Sequence, residues 1–189
     1  MVMLKIVLGP MFSGKTTELI KDYRKLSNKG YYPTIINYMG DTESTEHLLR
    51  SHNNIQIDCI SYFSLAIGWF DTRDQNYEKL HNSTHILINE AQFFEDLIDV
   101  VLSMIESGKC VYIYGLDSDH LQKKFGKIWD LIPYANIVQK LMATCQCGSP
   151  EALFTHRITF NPQQQLIGAS HYTPLCRNCI PMRPHPNNI

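Results

Sequence analysis

The stretch that most restricts how this chain can fold is Gly9–Thr16, GPMFSGKT, which fits G-x-x-x-x-G-K-[ST] without deviation. Ahead of it, MLKIVLG is a short apolar run closed by glycine, the pattern of a buried strand. Behind it, Leu19, Ile20, Tyr23 and Leu26 recur at helical spacing, and Gly30 supplies a stop. Strand, glycine loop and helix in that order let backbone N–H groups wrap phosphate oxygens while the helix N-terminus adds positive potential. The loop therefore predicts a nucleoside triphosphate site made of Gly9, Pro10, Met11, Phe12, Ser13, Gly14, Lys15, Thr16 and Thr17. Lys15 is expected to reach the β- and γ-phosphates, and Thr16 to offer its hydroxyl to Mg2+. The motif does not specify the second substrate.

Further along, PTIINY, IQIDCI, THILIN and KCVYIYG read as strands. Residues 62–80 and EDLIDVVLSMIESG read as helices, and FGKIWDLIPYA as a short helix ended near Pro133. GDTESTEHLLRSHNN is polar and reads as a long loop. Strands alternating with helices imply an α/β fold with a mostly parallel sheet covered on both faces. After residue 144, cysteines, glycines and prolines replace the long periodic segments. The expected organisation is an ATP-binding domain at 1–144 and a small domain at 145–189, with an irregular tail, PMRPHPNNI.

Charge narrows the function classes. The 17 basic and 18 acidic side chains give a formal charge of −1, which argues against a nucleic-acid partner. The N-terminal apolar run is too short for a signal peptide, and no apolar stretch reaches the roughly eighteen residues of a membrane span. A cytoplasmic protein is expected, with no membrane partner.

Of the six cysteines, Cys145 and Cys147 form one close pair and Cys176 and Cys179 another. Without a secretory signal, clustered pairs point to metal rather than disulfides. Four thiolates close a tetrahedral zinc site with no open position, which makes it structural. The alternative is four unligated cysteines. Cys59 and Cys110 fall in predicted strands and read as core.

The apolar run HILI ends in Asn89 and Glu90. A strand ending beside a phosphate loop is where such an enzyme places its magnesium-directed acid. Glu90 also reads as a simple helix N-terminal acid.

GPMFSGKTTELI, NEAQFF, GLDSD…FG, LIPYA and CRNC occur in this order from residue 4 to residue 179. Together they resemble the type II, cytosolic-type thymidine kinases. The resemblance implies a RecA-like phosphate-loop domain and a small zinc-binding β domain with a lasso lid. It puts the general base on Glu90, beside Lys15 as the second catalytic group. Met11, Phe12, Gln92, Phe93, Leu116, His120, Phe125, Thr155 and Tyr172 match nucleoside-side positions. Asp41 matches a magnesium-side acid. The bland reading of Asp41 and Glu43 is a solvated polar loop, and that of Thr155 and Tyr172 is ordinary core.

Four departures stand out. Asn89 occupies a position that is usually Asp, Glu43 one that is usually Arg, and His120 one that is usually Phe or Tyr. The first cysteine pair is one residue short. An amide keeps the shape and one acceptor oxygen of Asp but loses the charge, so weaker metal handling is expected, not an inactive site. The resemblance thus implies ATP-dependent phosphorylation of thymidine at the 5′-hydroxyl, with deoxyuridine tolerated, feedback by dTTP and a homotetramer. Two other readings are a catalytically weak nucleoside-binding protein and a zinc-containing ATPase acting on nucleic acid.

Overall fold

The structure, a computed structural model, describes residues 2–41, 44, 47–51, 55–159 and 168–180. Its centre is a parallel sheet. Strands β1 (Leu4–Leu8), β2 (Pro33–Tyr38), β5 (Ile60–Tyr62), β6 (His85–Ile88), β7 (Cys110–Gly115) and β8 (Ile137–Lys140) lie in the order β5-β2-β6-β7-β1-β8. Every pairing between them is parallel. Side chains alternate strictly between faces. Ile6, Ile36, Ile86, Ile88, Val111 and Ile113 pack on one side. Val7, Ile35, Leu87, Tyr112 and Tyr114 pack on the other. Both faces are covered, which is why these strands read as unbroken apolar runs.

Helix α1 (Lys15–Asn28) covers the second face through Leu19, Ile20 and Leu26. It ends where Gly30, at φ 81°, turns left-handed: the Gly30 N–H donates to Ser27 O and the Tyr31 N–H to Leu26 O. Helices α2 (Leu65–Phe70), α3 (Tyr77–Asn82) and α4 (Leu97–Glu106) cover the first face. Gly108 stops α4 in the same manner. Burying each Leu, Ile or Val of these faces stabilises the fold by about 1.5–3 kcal/mol relative to exposure.

Several elements differ from expectation. The polar loop holds a strand, β3 (Leu48–Arg50), paired antiparallel with β4 (Gln56–Asp58) and anchored by the fully buried Leu49. IQIDCI therefore splits, Gln56–Asp58 going to this hairpin and Ile60 starting β5. The 62–80 helix is two helices, broken by a turn in which the Asp74 N–H donates to Asp71 O. Residues Ile128–Tyr134 form a 3-10 helix that contains Pro133 rather than stopping at it. Strand β8 was not foreseen; it is an edge strand with Ile137 and Val138 half exposed, so it lacks a buried strand's signature.

Past β8, Ala143 bridges Ala152, and β9 (Phe154–Arg157) pairs antiparallel with β10 (Tyr172–Leu175). Ala143, Cys145, Ala152, Leu175 and Cys176 form a separate small apolar cluster. The middle of the expected lasso, Glu43 and the tail lie outside the described residues. Among the described residues, no helix is long and apolar enough to cross a membrane.

Candidate active site

The site is built at the C-terminal ends of the parallel strands, where an open α/β sheet leaves a crevice. β1 delivers the phosphate loop. A Cβ on Gly9 would lie 2.6 Å from Ser13 Oγ and 2.8 Å from Leu141 O, so the tight turn admits only glycine. Gly14 is left-handed at φ 81° and opens α1, with Thr16 and Thr17 in its first turn. Phe12 also has positive φ, at 65°, which pushes its ring outward to 38% exposure. Ser13 Oγ is buried with no hydrogen-bond partner among the described residues, an orphan that an incoming phosphate oxygen would satisfy.

Lys15 is only 8% exposed. Its ammonium donates to Pro10 O at 2.8 Å and Gly9 O at 3.2 Å. Burial pushes its pKa below the ordinary lysine value, and the charges of Glu90 and Asp117 pull it back up. The loop thus holds a buried ammonium in the field of two carboxylates.

β6 delivers Asn89 and Glu90. Glu90 takes a left-handed backbone, φ 51°, that breaks the strand and starts the short turn Ala91–Phe93. Its Oε2 accepts from Gln92 Nε2 at 2.5 Å. Gln92 Oε1 accepts the Leu116 N–H at 2.9 Å. Gln92, expected on the nucleoside side, is 3% exposed and braces Glu90 against the end of β7. Room for it comes from Gly115 and Gly126, where a Cβ would meet Gln92 atoms at 2.7 and 2.2 Å.

Phe93 stacks on Tyr38, with centroids 4.9 Å apart, and meets Phe125 edge to face at 5.5 Å. His120 lies half-buried in the loop after β7. Asp119 braces that loop, its Oδ1 accepting the N–H groups of Leu121 and Lys123. Asp41 and Asn89 are joined through Asn37, which donates to Asp41 Oδ2 at 3.2 Å and accepts from Asn89 Nδ2 at 2.8 Å.

Thr155, on β9, reaches the phosphate loop: its hydroxyl accepts the Met11 N–H at 2.9 Å. Tyr172 follows through the β9–β10 pairing, where its hydroxyl accepts from Arg157 at 2.7 Å. Sequence reasoning missed Asn37, Tyr38, Asp117 and Arg157. Asp117 sits in the quoted GLDSD stretch, is buried, pairs with Lys140 at 2.6 Å and has Oδ1 unpartnered among the described residues. Its place just past a central parallel strand was the available signal.

The four cysteines assemble apart from this site. Their sulfurs all lie within 4.8 Å of one another, and Cys147 and Cys176 are 3.8 Å apart. Zinc–sulfur bonds of ~2.3 Å in a tetrahedron require sulfurs ~3.8 Å apart, so the group can hold a metal such as zinc. The shortened first knuckle still closes, because Gly148 is left-handed at φ 87° and its N–H donates to Cys145 O. Backbone N–H groups of Cys147 and Cys176 lower the Cys145 thiol to about 6, favouring the thiolate that a metal needs.

The family model described as Thymidine kinase matches residues 2–180. The chain is 34% identical over 177 residues to the thymidine kinase of Sheeppox virus (strain KS-1), covering 93% of this chain and 95% of the relative. It is 34% identical over 174 residues to thymidine kinase a of Arabidopsis thaliana, covering 91% and 72%. It is 34% identical over 178 residues to the cytosolic thymidine kinase of Homo sapiens, again covering 93% and 72%. With a phosphate loop, an adjacent strand-end glutamate and an aromatic cluster beside it, the chain belongs to the thymidine kinase family.

Proposed function

We propose that this chain transfers the γ-phosphoryl group of ATP to the 5′-hydroxyl of thymidine, giving dTMP and ADP, with deoxyuridine as a second substrate. The observation that carries the reading is Glu90: it ends β6, is held by Gln92 and lies close enough to act on the Lys15 charge. As the 5′-oxygen bonds to the γ-phosphorus, Glu90 takes the hydroxyl proton, and the bond from that phosphorus to the β–γ bridging oxygen breaks to release ADP. Lys15 and the loop N–H groups stabilise charge on the transferring group. Phe93, Phe125, Leu116, His120, Met11 and Phe12 form the nucleoside side, with Thr155 and Tyr172 on the lasso strands.

Asp41, Thr16 and Asn89 would hold Mg2+ through hard oxygens, and the ion would supply neutralisation of the triphosphate charge. Zinc in the cysteine group is structural, and the two-part organisation divides near residue 145. A cytoplasmic homotetramer inhibited by dTTP completes the reading. The test is phosphorylation of radiolabelled thymidine with ATP and Mg2+, beside Glu90→Gln. The variant should lose about 10²–10⁴-fold in kcat. No dTMP from the parent protein would sink the kinase, and an undiminished Glu90→Gln rate would sink the base assignment.

A further inference from the structure

The register of two central strands sets Asn37 beside Asn89. Ile36 pairs with Ile88, and the Asn89 N–H donates to Ile36 O at 2.8 Å. Both side chains are almost wholly buried, Asn37 at 1% exposure and Asn89 at 2%. A side-chain amide carries its NH2, with two N–H donors, and its acceptor oxygen on opposite corners. Asn37 turns its NH2 toward Asp41 Oδ2, and that orientation sets its oxygen toward position 89. Asparagine at 89 meets that acceptor with its NH2 group, at 2.8 Å. An aspartate there would set a buried carboxylate against a carbonyl oxygen, or force Asn37 to turn its oxygen onto Asp41. With the Asn89 NH2 turned onto Asn37, its Oδ1 lies on the opposite corner of the amide and is the acceptor it can offer a ligand.

We propose that Asn37 is a positioning residue. The directed series Asn89 to Asn37 to Asp41 fixes the Asn89 amide with its oxygen as the ligand-facing atom. It also leaves Asp41 as the acid on the magnesium side. The neutral residue at 89 is then a matched part of the site, not a weakened acid. This rests on the kinase reading above for the metal's presence.

The test measures ATP binding calorimetrically on the full chain, across a Mg2+ titration and in EDTA, with thermal melts as a fold check. Asn37→Ala and Asn89→Ala should each raise the Mg2+ concentration for half-maximal binding about 10-fold. The double variant should be no worse than either single one, because both break one series. Binding in EDTA should stay within about twofold of the parent. Asn89→Asp should weaken Mg2+-dependent binding with Asn37 present and recover when residue 37 is alanine.

Multiplying effects, an equal loss in EDTA, or tighter Mg2+-dependent binding by Asn89→Asp alone would each overturn the proposal. If Asn37→Ala does not fold, the last criterion still decides it. A parent protein that shows these magnesium responses but makes no dTMP overturns the kinase reading alone.

Discussion

Gln92 holds Glu90 by a 2.5 Å hydrogen bond from its amide, while its other end is fixed to the Leu116 N–H. The glutamate is therefore aimed by a residue that is itself locked into the sheet. Replacing Gln92 with leucine removes the brace and strands the Leu116 N–H. The expected result is a kcat lower by about 10²-fold, the scale of a misplaced catalytic group, with ATP affinity unchanged. Steady-state kinetics for both substrates check this; a loss confined to the thymidine KM would contradict it.

Gly126 makes that arrangement possible. An added Cβ would fall 2.2 Å from Gln92 O, at a φ of +63° that disfavours any side chain. Gly126→Ala should cost about 2–4 kcal/mol of stability and lower kcat with it. Denaturant unfolding monitored beside turnover tests the pairing of the two losses.

The cysteine group makes a prediction about composition. Purified protein should contain about one zinc per chain, lost in Cys145→Ser and Cys176→Ser. Chelation should lower the melting temperature by roughly 5 °C or more, since binding free energy at such a site is folding free energy. Metal analysis together with a melt that chelator leaves unmoved would dispose of the structural role.

His85 starts β6 at 7% exposure, its ring against Tyr31 and Tyr112. Burial holds its pKa below the ordinary imidazole value. The unfolded chain then binds the proton first as pH falls. Its contribution to stability is full above about pH 6.5 and is lost as pH drops through that value toward the lower folded one. Melting temperatures at neutral and mildly acid pH should fall further for the parent than for His85→Asn. Equal falls would show that His85 does not report on acid stability.

What the sequence disclosed, it disclosed where one physical cause dominates. The phosphate loop was legible because glycine, lysine and threonine at fixed spacing serve one geometry. β6 was legible because burial on both faces leaves an unbroken apolar run. The hairpin of β3 and β4 was not, because three-residue strands are too short to show a period. β8 was not, because three of its four side chains meet solvent. Asn37 was invisible for another reason: its role depends on which neighbours share its register, and register is a property of the sheet, not of the residue. The brace that Gln92 provides was hidden by the same logic, because it depends on Leu116 at the end of another strand.

Lys15 rests on the carbonyls of Gly9 and Pro10. In the kinase proposed above, a triphosphate arriving there would exchange one set of acceptors for another, and the long side chain would have little freedom left to lose. The entropic toll of recruiting a flexible lysine was met when the chain folded.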